Sequence, residues 1–83
     1  MKILVLIALV YSFVFATVDI NHATAQELAT LKGVGKKKAA RIIKYRQKHG
    51  CFKTLKDFKK VKGIKKKTIK KNKENIILGE CKQ

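Results

Sequence analysis

The chain has 83 residues, with 21 lysines and arginines against five acids, so its formal net charge is +16. That length allows one small domain with little core to spare. So dense a positive charge repels itself and favours an anionic partner, nucleic acid first and an anionic membrane surface second. Neither histidine and none of the five acids stands at a metal-ligand or paired-carboxylate spacing, so no catalytic or metal-binding constellation is offered.

The chain opens MKILVLIALVYSFVFATVDI. Lys2 precedes an apolar run from Ile3 to Ala16, broken only by Ser12, and Val14 and Ala16 form a small-residue pattern that suits cleavage before Thr17. These are the three parts of a secretory signal peptide over residues 1–16, and the run is shorter than the roughly 20 apolar residues a membrane span needs. Export to the periplasm is therefore expected. Removal of residues 1–16, with one lysine and no acid, leaves 67 of the 83 residues and lowers +16 to +15. An extended stretch is expected at Val18–Ile20, on the edge of the domain.

Next come two copies of one pattern. TAQELATLKGVGKKKA from Thr24 aligns without gaps on TLKDFKKVKGIKKKTI from Thr54, at an offset of thirty. Thr24 with Glu27, and Thr54 with Asp57, have the spacing of a capping box, in which threonine and acid satisfy each other's backbone amides at a helix start. Leu28 and Leu31, or Phe58 and Val61, form the inner face of a short helix. Gly33 or Gly63 is expected to end that helix in the left-handed conformation that favours glycine. Val34 or Ile64 can then tuck back as an apolar plug. A second helix follows each corner. In the first copy it runs to about His49, with Ala39, Ile42 and Ile43 on one buried face, and Gly50 stops it. In the second copy Asn72 takes the place of Ile42, so that helix is expected to be shorter or poorly packed. Asn75 to Leu78 (NIIL) is expected to restart as a final helical turn covering the core. The first motif spans about residues 24–49 and the second about 54–78, within one domain over residues 17–83.

The lysines after each corner, Lys36, Lys37 and Lys38 and then Lys65, Lys66 and Lys67, stand at the end of a helix that disfavours cations by about 0.3–1 kcal/mol each. A phosphate held by the unpaired amides of that helix start removes the conflict. Two such corners related by a pseudo-dyad suit two backbone phosphates of a duplex, a contact that reads no sequence. Tyr45 and Phe52 are assigned to the core or its edge, and His22 and His49 to the solvated surface. Cys51 and Cys81 form no metal-binding pattern. In an exported chain of this size they are expected to pair in one disulfide.

The pieces VDIN, ELATLKGVGKKKA, IIKYRQKHGCF and FKKVKGIKKKTI together resemble the tandem helix-hairpin-helix domain of the ComEA competence DNA-receptor family, over Val18 to about Ile77. The resemblance implies an all-α domain of four to five short helices. It also implies a non-enzymatic, duplex-binding function in DNA uptake for natural transformation, without sequence specificity, cofactor or small-molecule substrate. Backbone contacts to phosphates carry over to Gly33, Val34, Gly35 and Lys36, and to Gly63, Ile64, Lys65 and Lys66. Double-stranded DNA is the expected partner, with single-stranded DNA and proteins of the uptake machinery as further candidates. A cationic envelope- or membrane-binding protein, or a structural adaptor reusing the fold, are the alternatives. The chain departs from the family pattern at Lys32 and Cys51, where proline is usual, at Asn72, usually apolar, and at Lys65, which replaces a second glycine. If the corner needs a positive φ at Lys65, lysine is strained there, and the second hairpin then binds through charge more than through shaped amides.

Overall fold

The computed structural model describes residues 17–81. The leader expected over residues 1–16 lies outside the described residues. In chain order the elements are β1 (Val18–Asp19), α1 (Ala25–Ala29), α2 (Gly35–His49), α3 (Leu55–Phe58), α4 (Lys66–Lys71) and β2 (Ile76–Ile77).

The helices α1 and α3 are a single turn or little more, too short to persist alone. Each is fixed at its start by a complete capping box. Thr24 Oγ1 accepts from the Glu27 amide at 3.1 Å while the Thr24 amide donates to Glu27 Oε1 at 2.8 Å, and Thr54 and Asp57 repeat the exchange at 3.2 Å each way. Each is also fixed by its inner face. The pairs that the thirty-residue offset relates, Leu28 with Phe58, Leu31 with Val61 and Val34 with Ile64, are all buried. The two motifs thus contribute matching residues to one core.

The long helix α2 buries Ala39 and Ile42 and ends at Gly50, whose φ of 88° only glycine adopts easily and whose amide donates to the Arg46 carbonyl at 2.9 Å. Arg46, Lys48 and His49 in its last turn suit the negative end of the helix. The Arg46 guanidinium reaches back to the carbonyls of Ala23 at 2.8 Å and Ile20 at 3.3 Å. Among the described residues no helix is long and apolar enough to cross a membrane.

The domain edge differs from expectation. The NIIL segment is not a helical turn. Ile76–Ile77 pairs in parallel with Val18–Asp19, and flanking bonds run from the Val18 amide to the Asn75 carbonyl at 2.7 Å and from the Ile20 amide to the Ile77 carbonyl at 3.1 Å. Two β-branched isoleucines favour the strand, and pairing buries Ile76 beside Val18 and Ile20. Asp19 closes this edge. Its Oδ1 accepts from the amides of Asn21 and Gly79, both at 2.9 Å, and its Oδ2 contacts His22 Nδ1 at 2.7 Å. Burial raises the Asp19 carboxyl pKa, but these bonds outweigh it and hold the group below the usual aspartate value.

Asn72 is also a correction. Helix α4 is indeed short, but Asn72 at its end is not poorly packed. The side chain is 2% exposed and fully bonded, accepting from the Lys32 amide at 2.9 Å and donating to the carbonyls of Lys32 at 2.9 Å and Thr68 at 2.8 Å. Asn21 plays the same part for Phe52, with bonds of 2.7 Å and 3.0 Å to its amide and carbonyl. Each amide side chain pairs with both backbone groups of one distant residue, as a neighbouring strand would. Near Asn21, Cys51 and Cys81 are joined as a disulfide with Cα atoms 5.6 Å apart.

Candidate nucleic-acid interface

Between α1 and α2, and again between α3 and α4, the chain makes the same four-residue turn. The Val34 amide donates to the Leu31 carbonyl at 3.1 Å, and the Ile64 amide to the Val61 carbonyl at 3.0 Å. The third residue is glycine each time, Gly33 at φ 79° and Gly63 at φ 97°. A positive φ at the third position is the signature of a type II turn, which also explains why proline suits the second position, held here by Lys32 and Lys62. The glycines therefore shape a turn that follows the helix rather than ending it, since α1 stops at Ala29 and α3 at Phe58. The fourth residues, Val34 and Ile64, are buried plugs, so only their backbone is available to a ligand.

Each turn leads straight into a helix without a side-chain cap. Val34 and Lys65 precede α2 and α4 and neither caps its helix by a side-chain hydrogen bond, in contrast to the boxes of α1 and α3. No acid occupies the first turn of α2 or α4. Lys36 and Lys37, and Lys65 to Lys67, are exposed. Both hairpins thus end in helix starts that carry lysines and lack an internal acceptor, and this can bind an anion. The two corners differ in backbone. Gly35 sits at φ 66°, whereas Lys65 sits at φ −116°, ψ 173°. Lys65 is extended and unstrained, so the expected penalty does not arise, and a second glycine is required only in the first corner.

The hairpins face each other's helices. A Cβ on Gly33 would lie 3.8 Å from Thr68 Oγ1 of α4, and one on Gly63 would lie 3.1 Å from Lys38 Cε of α2. Lys38 and Thr68 are themselves thirty residues apart, which is the pseudo-dyad expressed in contacts. Lys38 differs from the other expected contact residues. Its ammonium donates to the Gly33 carbonyl at 3.1 Å, so it braces the first hairpin from within. Two bracing residues were not found from sequence. Arg41 reaches the Lys62 carbonyl of the second hairpin at 3.4 Å, and Asn72 holds both polar groups of the Lys32 peptide. Arg41 carried no signal among so many cations. Asn72 did carry one, a polar residue in an apolar register, which points to a shorter helix but not to the bonds to Lys32.

The remaining chemistry-bearing side chains are engaged elsewhere. His22 pairs with Asp19, and the His49 ring packs on Tyr45 at 4.4 Å between centroids. Phe52 is buried and Tyr45 half-buried, as expected of the core and its edge. At Asp57 burial raises the pKa, but bonds from the amides of Thr54 and Lys53 and from Lys60 hold it below the usual value. Among the described residues, no three His, Cys, Asp or Glu side chains gather as metal ligands.

Comparison with known proteins agrees with this geometry. The helix-hairpin-helix motif family model matches residues 14–77. ComE operon protein 1 of Bacillus subtilis is 48% identical over 63 residues, which cover 76% of this chain and 31% of that protein. An uncharacterized protein of Haemophilus influenzae is 47% identical over 60 residues, 71% of this chain and 54% of its own length. The kinesin-like protein KIF22 of mouse is 38% identical over 50 residues, 60% of this chain and 8% of that protein. The chain thus spans about a third and about half the length of the two bacterial relatives. With two matching turns, two uncapped helix starts and a family match over most of its length, the chain belongs to the helix-hairpin-helix family, in a form similar to ComEA.

Proposed function

We propose that the protein is an exported, sequence-independent DNA-binding module that holds duplex phosphates at its two hairpins and serves DNA uptake. The reading rests above all on the contrast in capping. Helices α1 and α3 start with a reciprocal side-chain cap, whereas α2 and α4 start without one, beside exposed lysines. A backbone phosphate at each hairpin is the missing acceptor and offsets the lysine repulsion. Gly33, Val34, Gly35, Lys36 and Lys37 contribute at the first site. Gly63, Ile64, Lys65, Lys66 and Lys67 contribute at the second, with Lys38 in support. No base edge need be reached, so affinity is independent of sequence. The similarity to a ComE operon protein, and the signal-peptide pattern at the start of the chain, favour uptake outside the inner membrane as the setting.

The test is binding to two unrelated duplexes across a salt series. Equal affinities are expected, with a log–log salt slope of about −0.9 per phosphate neutralised. Gly33→Asp, and Lys36→Ala with Lys37→Ala, should weaken both duplexes alike. Full affinity in both variants would locate binding elsewhere on the charged surface.

A further inference from the structure

Beside the second hairpin lies a shallow groove of about 200 Å³. Arg41, Lys44 and Lys48 of α2 form one wall, and Lys60 and Lys62, between α3 and α4, form the other; no acid lines it, although Lys60 at its rim pairs with Asp57 at 3.4 Å. At the thirty-residue offset, Lys44 corresponds to Glu74, Lys48 to Leu78 and Lys60 to Thr30. The repeat therefore does not require these cations. Lys44 and Lys48, four apart on one helix, repel each other.

The groove also holds Tyr45 and His49. They are the outer end of a ladder of rings. Phe58 meets Phe52 edge-on at 5.2 Å, Phe52 stacks on Tyr45 at 5.1 Å and 7°, and Tyr45 meets His49 at 4.4 Å and 33°. Phe58 and Phe52 are fully buried, Tyr45 is half-buried and His49 is exposed. An exposed ring held by rings anchored in the core loses little freedom when another flat group stacks on it. Aromatic rings beside a cationic track suit an unpaired strand, because bases stack on the rings while the cations follow the phosphates. A paired duplex keeps its bases stacked on one another and cannot use the rings.

We infer that this groove binds single-stranded nucleic acid, with a base stacked on the His49–Tyr45 end of the ladder and phosphates on Lys44, Lys48 and Lys62. The site is distinct from the hairpin helix starts and does not depend on their holding a duplex. Through Lys62 it adjoins the second hairpin.

The decisive comparison is made on the unaltered protein, by fluorescence anisotropy with a labelled twelve-nucleotide oligothymidine and an abasic strand of the same length and charge. Base stacking predicts that oligothymidine binds about tenfold more tightly. His49→Ala, a change at an exposed position, should remove most of that ratio, while Gly33→Asp should leave it intact even as duplex binding falls. Equal affinity for the two strands in the unaltered protein would overturn the proposal, as would a ratio unchanged by His49→Ala. A duplex that fails to bind while the oligothymidine ratio persists would refute the hairpin reading and leave this one standing.

Discussion

At the scale of single residues, Gly33 separates backbone from space. A Cβ there would find its nearest neighbour 3.8 Å away, ordinary contact, so the only obstacle is φ at 79°. Gly33→Ala should therefore cost about 1–2 kcal/mol of stability, the usual price of a left-handed non-glycine residue, read as a lower midpoint in urea. Asp19 gives a prediction in pH. Its folded pKa lies below the ordinary 3.8, so its contribution to stability is complete above that value and is lost as pH falls through the folded pKa. The melting temperature should fall as the pH drops below about 4, and Asp19→Asn should flatten that fall. Parallel profiles for the two proteins would place the acid sensitivity elsewhere.

Among the elements, the short helices and their turns were legible in the sequence because their causes are local. Thr24 with Glu27 and Thr54 with Asp57 act over three residues, and a glycine in a turn answers only to its own φ. An extended stretch at Val18–Ile20 was legible, but the strand it pairs with, Ile76–Ile77, was not. A pair of residues is too short for a period, and Val18 meets Ile76 only because the chain between them has folded. Asn72 was misread for the same reason, since its partner Lys32 lies forty residues away. It ties the end of α4 to the first hairpin. Asn72→Ala should cost about 1–3 kcal/mol, because the Lys32 peptide loses its partners. Asn72→Leu, which restores an apolar residue to the register, should not recover the loss in the same denaturation assay. Of the candidate site, both corners could be read in advance. Their bracing by Arg41, Lys38 and Asn72 could not, because it depends on how the two motifs face each other.

For the molecule as a whole, the opposing factors are a small core and a large like-charge repulsion. The disulfide between Cys51 and Cys81 spans a sequence separation of 30 and ties the segment after β2 to the start of the second motif. Closing a loop of that length stabilises by about 3–4 kcal/mol in the chain-entropy model. Reduction should lower the melting temperature clearly, and more at low salt, where repulsion among the lysines is least screened. A melting temperature unmoved by reductant at low salt would mean that packing alone overcomes the charge.

The parallel pairing of β1 with β2 has a consequence for how such a domain is inherited. It brings the first and last elements of the folded region side by side, so the domain begins and ends at neighbouring points. A unit with adjacent ends can be spliced into a longer chain through two short connections, without its host having to span it.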